Sequence, residues 1–125
     1  MPISSTPQDT NQKFSETLRL PDNIPTLSWL VALQKPHRGE LYQIKQNGLT
    51  LGRAEENDIV LDDEQCSRNH ARLMVEPGIG NPQVYIQDAG SANGTFVNAQ
   101  RVVRQLLQDE DRITLGQSTF VFKQL

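Results

Sequence analysis

Residues 51–71 have the sequence LGRAEENDIVLDDEQCSRNHA, in which short apolar runs alternate with polar turns. The first run ends at Gly52 and Arg53, and an acidic turn leads into a second apolar run. A polar loop follows and carries three side chains suited to binding an anion or moving a proton: Ser67, Arg68 and His70. An arginine and a hydroxyl that leave successive strands at one end of a sheet favour oxyanion binding over a chemical reaction.

Outward from this stretch, the chain continues as short apolar runs separated by turn residues. Ten runs have strand-like composition: 27–34, 42–44, 49–51, 59–61, 71–75, 84–86, 95–97, 101–103, 113–115 and 119–122. Their spacing of about 8–12 residues, without a convincing core helix, predicts an all-β sandwich or barrel. Asn47-Gly48 carries a type I′ hairpin signal before Leu49. The one rival helical window, residues 102–107, is too short.

The first 26 residues differ in composition from the rest of the chain. They contain four of the seven prolines, seven serines or threonines, and none of the eight glycines. Their apolar residues show no sustained period, which predicts a flexible tail over residues 1–26 and a folded domain over residues 27–125.

Length and charge limit the class of protein. A chain of 125 residues suits one domain, and its net charge of −3 argues against broad nucleic-acid binding but leaves room for one anion site. No apolar run approaches the roughly 20 residues of a spanning helix, and the amino terminus has no signal-peptide pattern. The single cysteine, Cys66, allows no internal disulfide and no metal cluster. These features predict a cytoplasmic protein that binds neither membranes nor nucleic acid and needs no cofactor.

Each polar motif also has a simpler interpretation. Gly52-Arg53 alone most often marks a turn followed by a surface arginine, and an isolated Asn93-Gly94 pair most often marks a hairpin turn. A hydrolase hypothesis makes Ser67 a nucleophile, but no elbow glycines flank it. His70 would be the base in that hypothesis, but a structural histidine that braces the loop is favoured instead. We therefore predict no enzymatic activity. The acids at 109–111 lack the alternate spacing of a calcium loop and indicate a solvated turn rather than a metal site.

The motifs together resemble a forkhead-associated (FHA) domain over residues 27–125. They occur in the family's order: Gly52-Arg53, Ser67-x-x-His70, Asn93-Gly94-Thr95 with Val97-Asn98, and Ile113-x-x-Gly116. The resemblance implies a two-sheet β-sandwich of about eleven strands. It also implies that loops at one end of the sandwich bind phosphothreonine in an extended peptide.

The resemblance assigns roles by position. Arg53 is expected to contact the phosphate and Ser67 to donate a hydroxyl to it. Arg68 falls where a further phosphate or peptide contact often lies, and Asn93 resembles the asparagine that holds the peptide main chain. Three further residues match positions that shape the site without touching the ligand: Gly52, His70 and Gly94.

Two departures from the family pattern stand out. Ala92, preceded by Ser91, occupies a position that is often a phosphate-binding threonine, so either Ser91 or Arg68 compensates or affinity falls. The usual Asn-Gly turns become Asn98-Ala99 and the acidic run at 109–111. A non-glycine residue at positive φ costs roughly 1–2 kcal/mol, which predicts other turn types there.

The resulting prediction is a phosphothreonine-dependent protein–protein interaction module in Ser/Thr-kinase signalling. Its partners would be phosphothreonine-containing proteins, as substrates of such a kinase. The alternative is a phosphate-independent scaffold that binds partners through a sheet face. A more speculative variant has the phosphorylated tail occupy its own domain's site, through one of its threonines: Thr6, Thr10, Thr17 and Thr26.

Overall fold

The computed structural model describes residues 28–34, 37–77 and 82–125, and within these ranges the regular structure consists of eleven strands without a helix. The predictions for residues 1–26, including the four tail threonines, lie outside the described residues. The strands are β1 (Ser28–Ala32), β2 (Leu41–Gln43), β3 (Leu49–Gly52), β4 (Ile59–Val60), β5 (Ala71–Glu76), β6 (Gln83–Asp88), β7 (Thr95–Val97), β8 (Gln100–Val102), β9 (Arg104–Leu106), β10 (Arg112–Leu115) and β11 (Ser118–Gln124).

Two sheets form the molecule, which confirms the predicted all-β sandwich. The six-stranded sheet has the order β2-β1-β11-β10-β7-β8, and the five-stranded sheet has the order β4-β3-β5-β6-β9. The β3–β4 pair is parallel and the other neighbouring pairs are antiparallel.

Alternation along the strands creates the core between the sheets. In β1, Leu30 is fully buried and stands opposite Phe122 of β11, which is also fully buried. Ile86 supplies the matching inward side chain from the five-stranded sheet, as part of the same buried cluster. Each such side chain contributes about 1.5–3 kcal/mol relative to its exposed state. The packed core gives the loops at the ends of the sandwich a rigid support.

The hairpin predicted at Asn47-Gly48 is wrong. The strands on either side belong to different sheets, because β2 pairs with β1 and β3 pairs with β5. The turn instead links the two sheets, and the Gly48 N–H donates to the Lys45 carbonyl over 2.8 Å. Gly48 has φ +83°, and a Cβ there would lie 2.2 Å from the Leu73 carbonyl oxygen. Glycine is therefore required for a close approach and a left-handed conformation, not for a hairpin.

The prediction that residues 98–99 avoid positive φ is also wrong. Asn98 has φ 50° and Ala99 has φ 70°, as a type I′ turn requires, and they join Val97 to Gln100 as a two-residue hairpin. The Asn98 side chain offsets part of the strain, since its Oδ1 accepts from the Arg112 N–H over 2.9 Å. Its Nδ2 also donates to the Asp111 carboxylate over 2.9 Å.

The acidic turn at 109–111 also contains a non-glycine residue at positive φ. Glu110 takes φ 78°, and its carboxylate forms an ion pair with Lys123. Non-glycine residues therefore occupy left-handed positions in both turns.

Strand β9 is the strand that the apolar pattern misses. Its residues fall inside the rival helical window at 102–107, but they pair with β6 through Tyr85 and Leu106. Val103, which is 77% exposed, separates β8 from β9 as the chain passes between the sheets. Strands of three residues at a sheet crossing carry too little alternation to reveal themselves in sequence.

Candidate functional site

Three loops meet at one end of the sandwich, and we call them the site loops: residues 53–58, 61–70 and 89–94. They follow β3, β4 and β6, and direct hydrogen bonds join them. The middle loop contacts both others: its carbonyls at Ser67 and Arg68 accept N–H groups of the first loop, and its Ser67 and His70 side chains bond to the third. Most of the predicted site residues lie on these loops, and Gly52 directly precedes the first.

Gly52 fixes how closely the first two site loops approach each other. A Cβ at this position would lie 2.2 Å from the Arg68 carbonyl oxygen. The closeness lets the N–H groups of Arg53 and Ala54 donate to the carbonyls of Ser67 and Arg68, each over 3.0 Å. Asn57 adds a side-chain bond to the Arg68 carbonyl over 2.7 Å. Sequence reasoning missed Asn57, whose only signal is an asparagine inside a turn.

Arg53 points a partly fixed guanidinium out of this junction. Its Nε donates to the Cys66 carbonyl over 3.1 Å, which leaves the two terminal nitrogens for other acceptors. Over the part of the chain that the structure describes, neither Arg53 nor Arg68 has an ion pair with a carboxylate. A planar, uncompensated fork of donors suits a phosphate or carboxylate group.

Ser67 joins the middle loop to the third loop. Its Oγ accepts the Ala92 N–H over 3.0 Å, so the hydroxyl is held while its own proton stays available. Among the described residues, no acceptor takes that proton. Ala92 thus contributes its main-chain N–H to holding the serine hydroxyl in place.

His70 is fully buried and ties the same two loops together. Its Nδ1 accepts the Ser67 N–H over 3.0 Å, so the ring proton of the neutral form lies on Nε2. That Nε2–H donates to the Gly94 carbonyl over 2.8 Å. One side chain therefore sets the distance between the loop that carries Ser67 and the loop that carries Asn93.

Asp88, at the end of β6, organises the third site loop. One carboxylate oxygen accepts the Ser91 hydroxyl over 2.5 Å and the Thr95 hydroxyl over 2.7 Å. The other accepts the main-chain N–H groups of Gly90 and Ser91, each over 3.0 Å. Burial acts to raise the pKa of Asp88, but these hydrogen bonds outweigh it and hold the pKa below its ordinary value. Sequence reasoning missed Asp88, although an aspartate before Ala-Gly-Ser is a turn signal.

Ser91 faces into this network. While its hydroxyl donates to Asp88, the same oxygen accepts the Gly94 N–H over 2.9 Å. The structure therefore places the Ser91 hydroxyl inside the loop, with both bonds used for bracing.

Asn93 lies exposed at the tip of the third loop. Its Nδ2 donates to the Gln65 carbonyl over 2.9 Å, which brings it to the edge of the middle loop. Gly94 follows with φ +93°, a conformation that favours glycine. The amide of Asn93 is thus presented beside the loop that holds Ser67.

The described residues contain no cluster of three or more histidine, cysteine or acidic side chains arranged to hold a metal ion. The acids at 109–111 support their own turn, where Asp111 accepts the Gln108 N–H and Asp109 accepts the Gln124 N–H, each over 2.8 Å. Within the described ranges there is also no helix long and apolar enough to cross a membrane.

Comparison with known proteins gives a consistent result. The sequence-family model of the FHA domain matches residues 49–116, which are more than half of the chain. The oxoglutarate dehydrogenase inhibitor of Corynebacterium efficiens is 37% identical over 102 residues, which are 81% of this chain and 69% of that protein.

Solved structures agree. One, from work on phosphothreonine-dependent FHA domain interactions, is 28% identical with a TM-score of 0.68, and the match covers 78% of this chain and 96% of that one. Mycobacterium tuberculosis EmbR in complex with a low-affinity phosphopeptide is 29% identical with a TM-score of 0.68, covering 78% and 24% respectively. The family model and these relatives confirm the resemblance found in the motifs, and the chain belongs to the FHA-domain family.

Proposed function

We propose that this chain is a phosphothreonine-dependent protein–protein interaction module in Ser/Thr-kinase signalling. One observation carries the proposal: the site loops present the Arg53 guanidinium, the Ser67 hydroxyl and the Asn93 amide together at one end of the sandwich. Direct hydrogen bonds between the loops hold these three groups before any ligand arrives. Pre-organised donors lose little conformational freedom on binding, which favours recognition of a short peptide.

In this proposal Arg53 and Ser67 bind the phosphoryl group. A phosphorylated side chain carries about −1.5 to −2 charge and three strong acceptor oxygens at neutral pH. Charge-assisted bonds to it contribute about 1.5–3 kcal/mol each before other costs. Arg68 supplies a second exposed cation on the same loop as Ser67. We assign Ser91 to loop bracing, because both of its hydroxyl bonds lie within the loop, and we propose that Arg68 compensates for Ala92.

Asn93 would hold the peptide main chain, because its amide both donates and accepts hydrogen bonds. Selection of threonine over serine requires a niche for the γ-methyl group, worth roughly 1–3 kcal/mol. A net affinity near micromolar, about −8 kcal/mol, suits a reversible signalling contact. The partners are then phosphothreonine-containing proteins, as substrates of a Ser/Thr kinase.

The same geometry supports a role without catalysis. A serine nucleophile needs a base at its hydroxyl, but His70 Nδ1 accepts the Ser67 main-chain N–H instead. Burial raises the pKa of the Cys66 thiol to about 12, which disfavours a reactive thiolate. Cys66 is a free, buried cysteine, in keeping with a reducing compartment, and we propose the cytoplasm as the location.

A peptide titration tests this function. Phosphothreonine peptides from a library screen are compared with their phosphoserine and unphosphorylated twins on the wild-type chain, Arg53→Ala and Arg112→Ala. Arg112 is an exposed arginine of β10 at the Asn98 end of the sheet and serves as the matched control. We expect binding only with phosphate, a loss of about 10-fold or more with Arg53→Ala, and little change in the control. Equal binding of phosphorylated and unphosphorylated twins would contradict the proposal.

The structure also favours a second candidate, a phosphate-independent scaffold. The outer face of the six-stranded sheet carries an apolar strip formed by Trp29, Val31, Leu41 and Leu125. Leu41 is 64% exposed and Leu125 is 78% exposed, which is unusual for large apolar side chains that have no partner. A partner protein whose binding is unchanged by Arg53→Ala but lost with Leu41→Glu would support this candidate over the first.

A further inference from the structure

Arg101 lies beside the site but belongs to none of the expected phosphate contacts. It is an exposed residue of β8 and stands opposite Phe96 of β7. The left-handed turn at Asn98-Ala99 fixes this register, because a two-residue type I′ hairpin leaves no freedom to shift the strands.

The Arg101 side chain lies on the main chain of the third site loop. A Cβ built on Gly94 would be 2.6 Å from Arg101 Nε and 2.9 Å from its Cζ. The charged group therefore lies against the residue that directly follows Asn93, in space that a side chain at position 94 would occupy.

Across the described ranges, this guanidinium has neither an ion pair nor a hydrogen bond. Arg104 of the neighbouring strand β9 shows the contrast, since it bonds to Glu76 over 2.5 Å and lies 4.4 Å above the Tyr85 ring. Arg101 is thus a third uncompensated arginine at this end of the molecule, and it lies beside Gly94 while Asn93 bonds to Gln65 of the loop that carries Arg68.

We propose that Arg101 is a specificity-determining residue that binds an anionic side chain flanking the phosphothreonine. The inference rests on the proposed function and extends it, because a peptide held at Asn93 must run close to the adjacent guanidinium. The ligand chemistry is an oxyanion in a planar fork of donors, either the carboxylate of Asp or Glu or a second phosphoryl group.

The charges around the site make this preference one-sided. The other two site loops carry exposed carboxylates, which disfavour an anionic residue above them: Glu55, Glu56, Asp62 and Glu64. An acidic residue is therefore expected to improve binding only on the side of the phosphothreonine that passes Arg101. On the opposite side it should weaken binding or leave it unchanged.

A residue scan of a bound phosphothreonine peptide tests the inference. Each flanking position is replaced in turn by Glu, Gln or phosphoserine, and dissociation constants are measured on the wild-type chain, Arg101→Gln and Arg112→Gln. We expect one position, or two adjacent ones, where Glu binds about 3- to 5-fold tighter than Gln. The phosphoserine arm distinguishes a phosphoryl preference from a carboxylate preference by its larger gain.

The variants then decide the assignment. The Glu-over-Gln preference should vanish in Arg101→Gln, remain partly in Arg101→Lys, and persist in Arg112→Gln. Phosphothreonine-dependent binding with the same Glu-over-Gln ratio in the wild type and Arg101→Gln would overturn this inference alone. Loss of phosphate dependence in the wild type would overturn the proposed function and this inference with it.

Discussion

Replacement of His70 by alanine tests how the site is held together. The imidazole is fully buried and makes two hydrogen bonds, to the Ser67 N–H and to the Gly94 carbonyl. The substitution removes both bonds at once and leaves a cavity between two site loops. We expect lower stability and weaker phosphopeptide binding together, although the histidine itself contacts no ligand in our proposal.

The magnitude follows from these contacts. Two hydrogen bonds contribute about 0.5–1.5 kcal/mol each, and buried partners that stay unsatisfied cost about 1–3 kcal/mol. Together with the lost packing, the free energy of unfolding should fall by about 3 kcal/mol. For a domain of this size that corresponds to a drop in Tm of roughly 12–20 °C.

Urea denaturation gives the assay, with the slope m showing whether the unfolding transition stays comparable. His37→Ala is the matched control, because the half-exposed His37 imidazole bonds to the exposed carboxylate of Glu40 over 3.2 Å and the substitution leaves the main-chain bonds of residue 37 in place. The control should change the free energy of unfolding by less than about 0.5 kcal/mol. A loss below about 1 kcal/mol in His70→Ala would refute the bracing role, since the two buried bonds would then be energetically minor.

Three further predictions concern the turn at Asn98-Ala99, the loop junction at Gly52 and the hydrogen bonds of Asp88. Ala99→Gly relieves the strain at φ 70° and should raise the free energy of unfolding by about 0.5–1 kcal/mol. The control is Ala89→Gly, because Ala89 lies outside the left-handed region and its replacement should lower the free energy of unfolding by a similar amount. Thermal denaturation measures both variants. Gly52→Ala places a Cβ 2.2 Å from the Arg68 carbonyl oxygen, so we expect a loss above about 2 kcal/mol in urea denaturation and weaker peptide binding; unchanged stability would contradict the close approach. Asp88 has a lowered pKa, so its stabilisation is complete above the ordinary value of 3.8 and is lost as pH falls through the folded-state pKa. The free energy of unfolding of the wild type should therefore fall more steeply with decreasing pH than that of Asp88→Asn. The same pH dependence in both proteins would argue against a stabilising role for the hydrogen bonds of Asp88.

The sequence predicts most of the fold because the strands alternate on a two-sided sheet. Ten of the eleven strands follow from period-two runs and turn residues. Strand β9 cannot be predicted from the sequence, because its three residues are extended only through their pairing with β6, which is a tertiary contact. The type of the turn at Asn98-Ala99 is mispredicted for an energetic reason. The side-chain hydrogen bonds of Asn98 and the match between this turn type and the twist of the strands outweigh the strain of non-glycine residues at positive φ.

The site divides in the same way. The motifs identify Arg53, Ser67 and Asn93 as candidates because their residue types suit an oxyanion and a peptide main chain. The partners that hold them are 13 to 28 residues distant, so their geometry depends on the packed sandwich. Arg101 is harder still to identify, because only the register of β7 and β8 brings it to Gly94.

Amide chemical-shift mapping during titration with a phosphothreonine peptide tests the central claim most directly. We predict that the largest shifts cluster on the site loops, at Arg53, Ser67 and Asn93, and that the unphosphorylated twin leaves them unchanged. Shifts confined to the apolar strip around Leu41, or equal shifts with both peptides, would contradict a phosphothreonine site at this end of the sandwich.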